Sequence, residues 1–522
     1  MAISALSKLF PLILSLYFQK ISADLTPPPL PVLPLPSAPQ VTWQSGGMAM
    51  FLHFGMNTFT DSEWGTGHAD PSLFAPAALD ASQWVRVAKD AGFARVVLTA
   101  KHHDGFCLWP SAYTNYSVKS SPWRNGTGDV LADVAAAAKE AGLGLGLYLS
   151  PWDRHESRYG QTVGYNEYYL AQLRELLTNY GPAQEVWLDG AKGKDAKSME
   201  YYFDTWFSVV RQLQPGAVIF SDAGPDVRWI GDEAGVADAS CWSMFNCSDV
   251  TIGGDFDYGY SRQGDAYGCN WVPPECDVSI RPGWFWHSSE HPKTPNSLLE
   301  IFYNSVGRNC MLLLNVPPNS TGLLADEDVQ VLHDFKDLLE SIFSVNLAGN
   351  AIVTASSVRG NDSQFGPREI LMNDMLTYWA PEEGQAKWYL HVDLGSLVSF
   401  NVLCVQEAIQ LGQRVGEYHL DVLEDGVWCT IVNGTTIGYK KLERFDVVRS
   451  QFLRLTIDKA RADPLIAFFG LYMDKGTVVN TNDNNRTISG SEYTLNQNNL
   501  TTMDGKIRSV SGNVSVKNVL SS

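Results

Sequence analysis

From about residue 41 to 343, short runs of β-branched and aromatic residues alternate with longer stretches whose apolar positions recur with helical spacing. That alternation is the pattern of a parallel sheet covered by helices. The runs MAMFLHFG, ARVVLTAKHHDG, LGLGLYLSPWD, EVWLDG, AVIFSDAG, SCWSMF, GWFWH and MLLLNVPP read as strands. Between them SQWVRVAKDAG, DVLADVAAAAKEAG, YYLAQLRELLTNYG and SMEYYFDTWFSVVRQLQPG read as helices, each closed by a glycine suited to a helix C-cap. The fold class expected for 41–343 is therefore α/β, a (β/α)8-type barrel.

From 345 to 473 the period shortens to two, in WYLHVDLG, FNVLCVQEA, YHLDVLEDG and QFLRLTID, which predicts an all-β antiparallel sandwich. Residues 24–40 are a stiff proline-rich leader, and 474–522 form an Asn/Ser/Thr-rich tail with little to bury. Residues 1–23 place Lys8 before an apolar stretch too short to cross a bilayer, with Ala23 as the cleavage residue; this reads as a secretory signal peptide.

Composition narrows the class of partner. Lys and Arg total 38 against 57 Asp and Glu, a net charge of -19, which excludes nucleic acid and anionic membrane surfaces as expected partners. Sixteen Trp supply apolar faces for core or for sugar rings. Sequons at Asn115, Asn125, Asn246, Asn319, Asn361, Asn433, Asn485, Asn499 and Asn513 fit a glycosylating route, so a secreted, extracellular (cell wall) location is expected. Eight cysteines fit it too; Cys241 with Cys247, Cys269 with Cys276, and Cys404 with Cys429 are the pairs short loops favour.

In a barrel the chemistry sits where strands end at the C-terminal face. The polar residues there are His53, His102, His103, Tyr148, Asp153, Asp189, Asp222 and His287. Adjacent histidines on a strand point to opposite faces, so His102 and His103 suit a shared metal poorly; a core hydrogen bond or a polyhydroxylated ligand are the other readings. Neither metal nor organic cofactor is expected. Asp189 ends an apolar strand before Gly190, which suits a nucleophile or base, the cap of a following helix being the bland reading. PDVRWIGDEAG adds, in a Gly-bounded loop, Arg228 as a substrate-binding cation and Asp232 and Glu233 as sources of a second carboxyl group.

HFG and EWG, TAKHHDGFCLWPS, LGLYLSPWD, VWLDG and NCMLLLNVPP, in that order, resemble the α-L-fucosidases of glycoside hydrolase family 29, closely a plant member of the 1,3/1,4-specific branch. The resemblance covers about 43–325. The sandwich is similar, more loosely, to discoidin-type (factor 5/8 C-type) modules that accompany glycosidases. It implies a cofactor-free retaining exo-hydrolase that removes terminal α-L-fucose from glycans, with Asp189 as nucleophile and Glu233 as acid/base, Asp232 and Glu290 being the fallbacks. It implies further that His53, Glu63, Trp64, His102, His103 and Tyr148 hold the sugar, and that Phe51 and Trp187, completed by Trp284 or Trp286, wall the C5 methyl. A fucosidase for 1,2-linked xyloglucan fucose, or an inactive carbohydrate-binding protein, are the alternatives.

Overall fold

A computed structural model describes residues 26–254 and 257–476. The expected signal segment 1–23 and the sequons at Asn485, Asn499 and Asn513 lie outside the described residues. Eight parallel strands close a barrel: β1 (Met48–Leu52), β2 (Arg95–Lys101), β3 (Gly144–Leu149), β4 (Glu185–Trp187), β5 (Val218–Ser221), β6 (Val227–Trp229), β9 (Pro274–Ser279) and β10 (Met311–Asn315), with β10 returning to β1. Helices 81–90, 130–141, 162–179 and 203–213 fall on the four stretches predicted helical, the third beginning six residues before its predicted run and the fourth five residues into it. Asp80 and Asp129 start two of them by accepting the free N–H groups of the first turn.

Two expected strands are corrected. SCWSMF contributes only β7 (Met244–Phe245), which pairs antiparallel with β8 (Asn270–Trp271) off the barrel, and GWFWH forms no strand. Their places belong to β6 and β9. Both carry charged residues, Arg228 on β6 and Glu275 and Asp277 on β9, and those charges hide strands that are buried but for the half-buried Trp229.

Side chains of each strand alternate between the helical shell and the barrel lumen. Val96 and Leu98 pack outward, while Ala49, Phe51, Val97, Tyr148, Trp187, Val218, Phe220, Met311 and Leu313 fill the lumen. Gly146 on β3 makes room for them, since a Cβ there would meet Val97 Cγ2 at 2.7 Å. At the base of the lumen Arg95 lies 3.2 Å from Glu185 Oε2, and the helix 38–45 closes the bottom with Trp43, whose ring sits 5.2 Å from the Arg95 guanidinium. That helix begins at Ala38, inside the expected leader, because Ser37 and Gln40 form a reciprocal capping box.

The leader itself is strapped to the second domain: Pro27, Leu30 and Leu33 carbonyls accept from Arg359, Arg414 and Arg461. That domain is the expected sandwich, with β11 (Ile352–Ala355), β12 (Trp388–Glu407), β13 (Val415–Glu424), β14 (Val427–Gly434), β15 (Lys441–Ala460) and β16 (Ile466–Tyr472) all antiparallel. β12 and β15 run 20 residues each and break register midway, so each serves both layers around one core. The sandwich grips the barrel near the start of β10, where Asn309 bonds Cys241 and Tyr439 and Arg444 pairs with Glu300. That is the opposite end of β10 from Asn315.

None of the expected cysteine pairs forms. Cys276 on β9 joins Cys310 beside β10, Cα atoms 6.0 Å apart, because these strands are neighbours in the barrel. Cys107, Cys241, Cys247, Cys269, Cys404 and Cys429 are free; β15 and β13 separate the strands bearing Cys404 and Cys429. The sequon residues Asn115, Asn125, Asn361 and Asn433 are exposed and Asn319 is half-buried, whereas the Asn246 amide donates to Asp265 Oδ2 at 3.0 Å.

The exit of β2 is tied to that of β3 by a fully buried pair, Lys101 Nζ to Asp153 Oδ2 at 2.9 Å, with Gln172 Oε1 at 3.1 Å. Asp153 is thus a structural carboxylate. Lys101→Met leaves it buried without its cation and is expected to cost about 3–5 kcal/mol in denaturant unfolding; a loss under about 1 kcal/mol would contradict this role.

Candidate active site

Three buried imidazoles line the C-terminal mouth of the barrel, and their neighbours fix their tautomers. His53 Nδ1 is 2.8 Å from Asn315 Oδ1, and the Asn315 amide nitrogen donates to Ser279 Oγ and the Trp284 carbonyl, so Oδ1 is the acceptor and His53 carries its proton on Nδ1. His103 Nδ1 lies 2.7 Å from Ser150 Oγ, whose own proton goes to the Trp152 carbonyl, so His103 too is protonated on Nδ1. His102 is the reverse: Asn57 Nδ2 approaches its Nδ1 at 3.5 Å as donor, leaving Nε2 protonated.

Burial holds all three below the ordinary histidine range, His53 at about 3, so they are neutral. The free atoms are two acceptors and one donor. Uncharged groups of both kinds match a neutral ligand rich in hydroxyls, since hydroxyls donate and accept. Among the described residues no group of three or more His, Cys, Asp or Glu side chains is arranged to hold a metal.

Asp189 lies two residues beyond the end of β4. Its Oδ2 accepts from Tyr148 Oη at 2.8 Å and faces His103 Nε2 at 3.7 Å, while Oδ1 accepts the Ala191 N–H at 2.7 Å. It serves as no helix cap, and the side chain is 18% exposed. Tyr148 from the neighbouring strand thereby fixes one oxygen and the Ala191 N–H the other, while the unprotonated Nε2 of His103 donates nothing to the carboxylate.

Glu233 comes from the loop after β6, which Ala234 pins to Val278 of β9. Its side chain is solvent-accessible at the rim, yet the surrounding walls strip enough of its hydration to raise its pKa. The Asp189, Glu63 and Asp232 charges add to that rise, against the Trp284 indole N–H, 3.3 Å from Oε2. Two further carboxyl groups stand close by. Burial raises Asp222 to about 6, with the Asp189 charge adding to it, and its side chain presses on Gly190, where a Cβ would lie 2.0 Å from Oδ2. Asp277, bonded to the Trp229 indole at 2.8 Å, is raised well above the carboxylate range by burial and by Glu233.

Aromatic rings complete the walls. Phe51 sits 5.4 Å from Trp187 and 6.3 Å from Trp284, Trp187 stacks on Phe220 at 3.9 Å, and Trp64 stands edge-on to His103 at 6.0 Å. Glu275 fixes Trp187 through the indole N–H at 2.9 Å. Phe51, His53, Glu63, Trp64, His102, His103, Tyr148, Trp187, Trp284, Asp189 and Glu233 are thus brought to one mouth.

Arg228 is not. It points out of the lumen, wholly buried, and its guanidinium donates to the carbonyls of Ser261, Val272 and Trp242. As the middle residue of β6, between lumen-facing Val227 and Trp229, it can face only outward. Trp286 is half-buried in the loop after β9, its indole N–H without an acceptor among the described residues. Asp232 caps its own loop and pairs with Arg262 at 2.9 Å, and Glu290 accepts the Gly283 N–H, so both fallback carboxylates have structural work. Sequence reasoning missed Asn57, Ser150 and Asn315, which set the tautomers; only Asn315, a polar residue ending an apolar strand, carries a local signal.

A barrel mouth that brings a carboxylate from just beyond β4 together with a rim glutamate, among neutral imidazoles, fits a glycoside hydrolase. The α-L-fucosidase family model matches residues 48–341, and the F5/8 type C domain model matches 352–467. The chain is 62% identical over 472 residues to α-L-fucosidase 1 of Arabidopsis thaliana, covering 90% of this chain and 93% of that protein. It is equally 62% identical to a putative α-L-fucosidase 1 of Oryza sativa subsp. japonica, covering 89% and 90%. Among solved structures it resembles SpGH29 (TM-score 0.82, 42% identity, 85% of this chain and 100% of that one). A Ruminococcus gnavus GH29 fucosidase in complex with fucose is also similar (0.81, 35%, 86% and 97%). The chain belongs to the α-L-fucosidases of glycoside hydrolase family 29.

Tyr148→Phe removes the hydroxyl that orients Asp189. A hydrogen bond to a charged group is worth about 1.5–3 kcal/mol, so kcat/KM for fucoside hydrolysis is expected to fall about 10- to 100-fold with the fold intact. An unchanged rate would show that Asp189 is aimed without it.

Proposed function

We propose that this protein is a secreted, retaining exo-hydrolase that releases terminal α-L-fucose, 1,3- or 1,4-linked, from glycans. The observation that carries the reading is the pairing, in one mouth, of Asp189 held by Tyr148 with Glu233 held protonated to higher pH. In the first step Asp189 attacks the anomeric carbon as Glu233 gives its proton to the departing oxygen, leaving a fucosyl ester. In the second, Glu233 takes a proton from water, which attacks that carbon and frees Asp189. His53, His102 and His103 fit the hydroxyls, and Phe51, Trp187 and Trp284 supply an apolar wall for the methyl of a 6-deoxy sugar. The fucose-bound relative from Ruminococcus gnavus supports fucose as the sugar held. The motif likeness to the plant 1,3/1,4-specific branch supports the linkage. The apolar leader sequence, the exposed sequons and the Cys276–Cys310 bond support secretion.

On a panel of 1,2-, 1,3-, 1,4- and 1,6-fucosylated oligosaccharides, free fucose is expected from the 1,3- and 1,4-linked members; release from the 1,2-linked member alone would contradict the linkage. Asp189→Ala is expected to lose several powers of ten in rate. Glu233→Ala is expected to regain turnover with azide on a substrate bearing a good leaving group. If rescue instead follows mutation of Asp222 or Asp277, the acid/base role moves there. Because Glu233 must be protonated to act as acid and its pKa is raised, kcat/KM is present below that pKa and lost as pH rises through it. Glu233→Gln should remove this alkaline limb. Expression in a eukaryotic secretory host is expected to deliver glycosylated protein to the medium; an unglycosylated cytosolic product would contradict secretion.

A further inference from the structure

The loop after β9 contains a hydrogen-bonded chain that begins at His287, one bond behind Glu63 of the mouth. His287 lies between two carboxylates, its Nδ1 2.6 Å from Asp61 Oδ1 and its Nε2 2.7 Å from Glu63 Oε1. Glu63 in turn accepts two backbone N–H groups of the loop, Trp284 at 2.9 Å and Phe285 at 3.2 Å. Trp284 then reaches both halves of the site. Its indole donates to Glu233 Oε2, and its carbonyl accepts from Asn315, which holds His53. Glu290, which receives the Gly283 N–H at 3.0 Å, is the third carboxylate facing the imidazole.

A neutral imidazole has one N–H and can serve only one of the two bonded carboxylates, whereas an imidazolium serves both. Burial opposes the charge, but the bonds to Asp61 and Glu63 and the charges of Glu63 and Glu290 outweigh it, and His287 is raised above its ordinary range. The cluster is only partly buried: the His287 side chain is 14% exposed, Glu63 37% and Asp61 80%. It is therefore a poor source of fold stability. Its geometry instead fixes where one loop stands.

We propose that His287 is a positioning residue for the acid/base step, acting through Glu63 and the Trp284 loop to hold the Glu233 carboxyl toward the scissile oxygen. The proposal rests on the reading of Glu233 as acid/base. Removing the imidazolium loosens Glu63 from the loop and takes from Glu233 the indole N–H that favours its ionised form. Glu233 then holds its proton to higher pH while pointing less well.

The test compares kcat/KM against pH for the wild type, His287→Gln, Trp284→Phe and the double variant. Two substrates are used: a fucosylated trisaccharide whose leaving group needs a proton, and an aryl fucoside whose leaving group does not. His287→Gln is expected to lower the plateau on the trisaccharide about tenfold and move the alkaline limb up by about half a pH unit, with a smaller loss on the aryl fucoside. Trp284→Phe, which leaves the His287 cluster intact, is expected to move the limb the same way. In that background His287→Gln is expected to move it no further. An unmoved limb with equal losses on both substrates would overturn the proposal, as would additive displacements in the double variant. The underlying reading fails separately, if Glu233→Ala shows no azide rescue. Should His287→Gln not fold, His287→Asn is measured in its place, with the same expected and overturning results.

Discussion

In the mechanism proposed for this protein, two carboxyl groups in one small mouth must hold different protonation states, and most of the site can be read from that constraint. Asp189 would have to stay ionised to attack, while the group that protonates the leaving oxygen stays neutral at the same pH. The protein gives Asp189 a phenol and a backbone N–H. It gives Glu233 partly dehydrating walls and the repulsion of Asp189, Glu63 and Asp232. Burial, with neighbouring carboxylate charge adding to it, raises Asp222 and Asp277 as well, so a cationic lining would undo the separation. The histidines avoid this by being neutral, each with its proton placed by a second polar group.

The scaffold serves the same end. A lumen packed with Phe51, Tyr148, Trp187 and Phe220 excludes water beneath the reacting centre, and Trp43 with Arg95 closes the base. Buried carboxylates in that lumen hold the aromatic walls at fixed angles, Glu275 through Trp187 and Asp277 through Trp229. The sandwich, gripping the barrel at the far end of β10, leaves the mouth to barrel loops.

The parts legible in the sequence were those written locally. Strands such as ARVVLTAKHHDG announce themselves because an apolar run and its polar exit are contiguous, and the barrel, the sandwich, Asp189 and the paired histidines all follow from such runs. β6 and β9 are hidden because lumen carboxylates and an outward arginine interrupt their apolar pattern, and without the strand Arg228 reads as a pocket cation. The Cys276–Cys310 bond depends on which strands become neighbours, and short-loop reasoning cannot supply that. The tautomer-setting partners Asn57, Ser150 and Asn315 act across strands, so their roles exist only once the barrel closes. The docking of the proline-rich leader is invisible in the sequence because its partners, three arginines of the sandwich, lie more than 300 residues away.

The central claim is that Asp189, and no other carboxylate of the mouth, bonds to the sugar. Incubating the protein with a 2-deoxy-2-fluoro-fucosyl fluoride, which forms the ester quickly and loses it slowly, and mapping the labelled peptide by mass spectrometry tests this most directly. The sugar mass is predicted on Asp189, with inactivation in step with labelling. Label on Glu233, Asp222 or Asp277, or inactivation without any covalent adduct, would contradict the account.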